Sequence, residues 1–105
     1  MSDQLPKPFV RMRDDYPQIA AAYDSLGEAA GAAGPLDDTS QHLVKLGMSI
    51  AAGLEGATHS HTRRALEAGV SPEAIRQVAL LGISTLGLPR AMMGLTWIND
   101  ILDQK

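Results

Sequence analysis

The chain has 105 residues, 45% hydrophobic and 20% charged, with nine Lys/Arg against twelve Asp/Glu for a formal net charge of −3. That size suits a single domain over residues 1–105, the composition argues against disorder, and basic residues form only short clusters such as Arg63–Arg64, so no nucleic-acid partner is expected. Cysteine is absent, which excludes disulfides, thiolate-ligated metals and any thiol nucleophile.

The first residues, Met1 to Pro6, lack the apolar stretch of a secretory leader. The longest uncharged run, Gln77–Pro89, has thirteen residues, and a membrane span needs about 17–25. A cytoplasmic protein without a membrane partner is expected. Residues 1–13, with Pro6 and Pro8, read as an irregular N-terminal arm.

Pro17 opens a first helix, with Asp14 and Asp15 placed favourably before it. Its apolar stripe is Ile19, Ala20, Tyr23, Leu26 and Ala30, and Gly31 and Gly34–Pro35 end it. Asp37, Asp38 and Thr39 offer N-caps for a second helix with Leu43, Leu46, Gly47, Ile50 and Leu54 on one face. A third helix spans about Glu55–Ala68 and is stopped by Gly69. Leu66 is its one large apolar side chain, so it is the weakest core former and the richest in titratable groups. Ser71-Pro72-Glu73 starts a fourth helix. Its residues Ile75, Val78, Leu80, Leu81, Ile83 and Leu86 make it apolar nearly all round, the mark of a buried helix. A fifth runs from Pro89 to about Asp103. No strand or hairpin signal competes, so the fold class is all-α, with about five helices. Five short helices cannot easily enclose the fourth, and apolar surface left over marks a partner face. A homo-oligomer is expected.

The three histidines are the acid–base candidates. At about 100° per residue, His59 and His61 point some 200° apart. They cannot share a metal, and no set of metal or cofactor ligands emerges. Glu55 and His59 share a face. His61 shares one with Leu54, Ala57 and Ala65, which leaves room beside its ring. Each histidine also has a plainer role: His42 as a solvent-exposed residue in a polar first turn, His59 as a surface partner of Glu55, His61 as a hydrogen-bonded packing residue.

The segment from Leu36-Asp37-Asp38 through Gly53-Leu54-Glu55-Gly56-Ala57-Thr58-His59-Ser60-His61 to Ala74-Ile75 resembles the carboxymuconolactone decarboxylase family, which includes the AhpD alkylhydroperoxidases. The resemblance covers about residues 36–102. Its most specific stretch is the histidine, Ala65-Leu66, Gly69, Ser71, Glu73 and Ile75. It implies an AhpD-like helical bundle with a central antiparallel helical hairpin, assembled as a trimer or hexamer.

The peroxidase members of that family carry two cysteines, a histidine and a glutamate where this chain has Leu54, Ala57, His61 and His42. Only the histidine is kept, so dithiol peroxide reduction is excluded. Decarboxylase members resemble this chain in the glutamate at Glu55 and the histidine at His61. The resemblance therefore implies an acid–base lyase acting on a small carboxylated lactone or related metabolite, with His61, Glu55, His59 and His42 as candidate catalytic residues. Arg63, Arg64 or Arg90 would hold a carboxylate. The alternative is a non-catalytic member, a ligand-binding or oligomeric scaffold.

Overall fold

Prolines, caps and glycines set the helix boundaries. The computed structural model describes residues 5–104, which form six helices: α1 (Lys7–Asp15), α2 (Pro17–Gly31), α3 (Asp38–Ala52), α4 (Glu55–Glu67), α5 (Pro72–Leu86) and α6 (Leu88–Leu102). No strand occurs among the described residues. The five expected helices are α2 to α6. Helix α1 is a correction, because it occupies most of the segment expected to be an irregular arm. Pro6 stands at its N-cap and Pro8 in its first turn, where a helix has no partner for the missing N–H. Residues 1–4 of that arm lie outside the described region.

Contacts divide the chain into two compact units, one through Leu36 and one from Asp37. The first unit is a helical pair. Pro17 disfavours helical geometry at Tyr16, which leaves the helical region at φ −131° and ψ 66°, so α1 ends and α2 begins there. The Phe9 ring meets Tyr23 edge to face, with centroids 6.4 Å apart. The Arg13 guanidinium lies 5.5 Å from the Phe9 centroid and donates to both carboxylate oxygens of Asp24. That fork holds the Asp24 carboxyl below its ordinary range. The stripe on α2 is mostly open: Ala20 is buried, but Leu26 is 69% exposed.

The second unit packs α3 on α4, α5 on α6, and α4 on α6, with α3 also touching α5 and α6. Leu46, Ile50, Ala65, Ile75, Ala79 and Ile98 form its core. The Asp37 carboxylate caps α3 by accepting from the Ser40 N–H at 2.8 Å. The Ser71 hydroxyl caps α5 through Ala74. Gly53, at φ +73°, turns α3 into α4. Its N–H reaches Ile50 O, and the Leu54 N–H reaches Ser49 O, the paired bonds of a glycine-terminated helix. This tight link makes α3 and α4 the antiparallel hairpin.

The polar helix α4 enters the core through small residues. Thr58, Thr62 and Ala65 are all fully buried. Both threonine hydroxyls donate to carbonyls one turn back, Leu54 and Thr58, so no polar group is stranded. Helix α5 buries Ile75, Ala79 and Gly82, while Leu80, Leu81 and Ile83 stay exposed in the single chain.

Helix α6 comes close to α3 at Gly94. A Cβ there would lie 2.6 Å from Ile50 Cγ2 and 2.9 Å from two further Ile50 carbons. Ile50 is buried and β-branched, so it has little freedom to yield. Gly94→Ala is expected to lose about 1–3 kcal/mol to overpacking, only partly offset by about 1 kcal/mol of helix propensity. Gly56→Ala, whose Cβ would meet nothing within 4 Å, should gain about 0.4–1 kcal/mol. Urea unfolding of the two variants checks this contrast in sign.

Candidate functional site

Helix α4 lies between α3 and α6, and its histidines turn to different sides. His59 meets α6: its Nε2 lies 2.9 Å from Asp100 Oδ2. His61 belongs to the α3–α4 contact, where His42, Lys45 and Arg64 act on its charge. The angular separation read from the sequence is what sends them apart.

His61 is half-buried, and so is His42. The exposure expected for His42 is therefore corrected: the first turn of α3 is polar, but packing against α4 covers part of it. The Nδ1 atoms of both rings are buried and have no hydrogen-bond partner. Two orphaned nitrogens on one helix pair are unusual, because each such atom costs about 1–3 kcal/mol. Ligand-binding surfaces are a common place for that cost to be carried.

Electrostatics sharpen the picture. Burial, first, and then the positive charges of Arg64 and Lys45 and the neighbouring His42 push the His61 pKa down to about 4. Its imidazole is neutral at physiological pH, a base and not an acid. The same two cations make the surroundings of His61 electropositive, which suits an anion.

The four sequence candidates thus fall into two groups. His42 and His61 share the α3–α4 contact. Glu55 and His59 sit on another face of α4, with Glu55 six residues and about 240° around the helix from His61. Ala65, expected to leave room beside His61, is packed in the core, while Ala57 is half-buried. Among the arginines, Arg64 bears on His61. Arg90 lies over the Gly53 turn, with Nη1 3.8 Å from Met93 Sδ.

Two residues escaped the sequence reading. Lys45 stands one turn after His42 on the same helix, a spacing that would have found it. Asp100 is the one acid within α6, a signal of position but not of partner, since 41 residues separate it from His59.

The described residues are all helical, the α3–α4 hairpin carries His42 and His61, and the chain has no cysteine. A sequence model of the carboxymuconolactone decarboxylase family matches residues 17–100, and the chain belongs to that family. Among solved structures it is similar to a carboxymuconolactone decarboxylase family protein from Legionella pneumophila, described in its apo form. The two share 18% identity over 90% of this chain and 87% of the other, with a TM-score of 0.75. That likeness concerns the fold. No curated protein sequence matches significantly.

Proposed function

We propose that the protein is an acid–base lyase acting on a small carboxylated lactone, with His61 as the proton-transferring group. The observation that carries this reading is the neutral, half-buried His61 imidazole, its Nδ1 unpartnered, within the electrostatic reach of His42, Lys45 and Arg64. Decarboxylation next to a lactone needs a group that moves a proton and a cation that steadies the developing enolate. His61 supplies the first. Arg64 and Lys45 supply the second and hold the carboxylate before reaction.

A bound carboxylate also changes the base. A negative charge offsets the two cations, the lesser causes of the shift after burial, and so raises the His61 pKa from its depressed value. The imidazole then takes up a proton that it can deliver to the enolate carbon as carbon dioxide leaves. His42, whose Nδ1 is likewise unpartnered, is the second candidate on the same helix pair.

The family match spans both compact units, which supports treating them as one family domain. No helix among the described residues is long and apolar enough to cross a membrane, and the working location is the cytoplasm. The test is turnover of a γ-carboxylated butenolide, followed by carbon dioxide release. Release that depends on the protein supports the lyase. Its absence with this and related carboxylated lactones favours the non-catalytic scaffold.

The assembly is part of the proposal. Leu80 and Leu81 on α5, and Leu88, Met92 and Met93 on α6, are each about half exposed or more. Apolar surface of this kind is what a second copy covers, and a homo-oligomer, trimer or hexamer, accounts for it. Obligate interfaces bury about 2,000 Å² or more. Light scattering at micromolar concentration should give a multiple of the 11.1 kDa chain mass, and a monomer mass would remove this part of the reading.

A further inference from the structure

We propose that Glu55, His59 and Asp100 form a binding site for one divalent transition-metal ion, zinc by preference. The site lies on the α4–α6 side of the molecule and is separate from His61. One donor atom from each of the three side chains lies within 4.8 Å of the other two. His59 Nε2 and Asp100 Oδ2 are already 2.9 Å apart. Tetrahedral zinc, with bonds of about 2.0–2.1 Å, holds its donors about 3.3 Å from one another. The set therefore needs only a small closure, and the exposed Glu55 side chain has the rotatable bonds to make it.

Two elements fix the geometry. Glu55 and His59 are four residues apart on α4, so their side chains stand one above the other. Asp100 comes from the last turn of α6, where the helix dipole favours a cation. Its neighbours are turned elsewhere: Arg76 of α5 donates to Asn99 and to Asp103. Asp100 alone of the three faces His59. Two carboxylates balance a dication, and the imidazole selects against calcium and magnesium, which take oxygen ligands.

Beside Asp100 opens a polar hollow lined by Thr96, Asn99, Asp103 and Gln104. A metal held by three protein donors would keep a fourth position for a water molecule or an anionic ligand. Three protein ligands with one free position is the arrangement of reactive rather than purely structural zinc.

The ordinary alternative is that His59 and Asp100 form an ion pair tying α4 to α6, and titration separates the two. Chelator-stripped full-length protein is titrated with zinc chloride by calorimetry at pH 7.5. One zinc per chain with micromolar or tighter affinity is expected. His59→Gln and Asp100→Asn should each weaken it at least about tenfold, with circular dichroism showing both folded. Asp100 is half exposed, so its amide variant is the safer probe of the two. His42→Gln and His61→Gln should leave the zinc affinity unchanged. The absence of stoichiometric zinc binding overturns the site, as does equal affinity in His59→Gln and Asp100→Asn. So does loss of zinc in the His42 and His61 variants, which would put the ion on the other histidine pair.

Discussion

On the proposed lyase reading, replacing His61 by glutamine is expected to lower the decarboxylation rate at least about 100-fold while leaving the helical content and the molecular mass in solution unchanged. A positioned acid–base group contributes typically 10²–10⁴ in rate. Glutamine keeps a polar side chain of similar reach but cannot titrate. The ring is half-buried and is not one of the core residues, so the fold should tolerate the change. Arg64→Ala should act differently. Its side chain is exposed and contributes charge, so its loss should raise KM more than it lowers kcat. It also removes one cause of the depressed His61 pKa, and the pH–rate profile should move upward. The parallel decline of kcat and kcat/KM in His61→Gln, set against a KM effect in Arg64→Ala, identifies the proton-transferring residue. Equal turnover by His61→Gln would show that another residue transfers the proton, with His59 the next to test.

The second expected result is a loss of stability in mild acid that passes through His61. The ring has a pKa of about 4 in the folded chain against an ordinary value of 6.5. Above pH 6.5 it is neutral in both folded and unfolded states and adds no pH dependence. Between about pH 6.5 and 4 the unfolded chain binds a proton there and the folded chain does not, so stability falls as the pH falls. Below about pH 4 both states are protonated and the loss levels off. The full difference corresponds to about 3 kcal/mol at 1.36 kcal/mol per pH unit. Screening by the solvent that reaches the ring reduces it to about 2 kcal/mol. Urea unfolding at pH 7 and at pH 4.5 measures the difference, and the same pair of measurements on His61→Gln subtracts the contribution of all other groups. The variant should lose less stability over that interval than the parent. An NMR titration of His61 with a midpoint near 6.5 would contradict the burial argument at its source.

Helix boundaries were legible because they depend on neighbours in the chain. Asp37 and Ser71 cap the helices that they precede, and Gly69 takes the positive φ that ends α4, whereas the expected stripe through to Leu54 runs past Gly53, whose positive φ ends α3. The missed helix α1 shows the limit of one such rule. Pro6 and Pro8 were read as barriers, but prolines interrupt a helix interior and fit its first turn. The apolar count on α4 misled in a similar way, since Thr58 and Thr62 are buried with their hydroxyls satisfied within the helix. Large apolar side chains are one way to fill a helix contact, and small polar ones that bond their own backbone are another.

For the site, the sequence by itself determined that thiol chemistry is absent and that His59 and His61 diverge, because residue type and helical rotation are local properties. Only the tertiary structure decided what each histidine meets. It set His61 among the charges of Lys45, Arg64 and His42, and it brought Asp100 from 41 residues away to His59. Those meetings follow from how α4 seats between α3 and α6. The seating rests on Thr58, Thr62 and Ala65 filling one side of α4, and on Gly94 letting α6 approach Ile50. Such contacts depend on the volumes of side chains far apart in sequence, and no spacing along the chain encodes them.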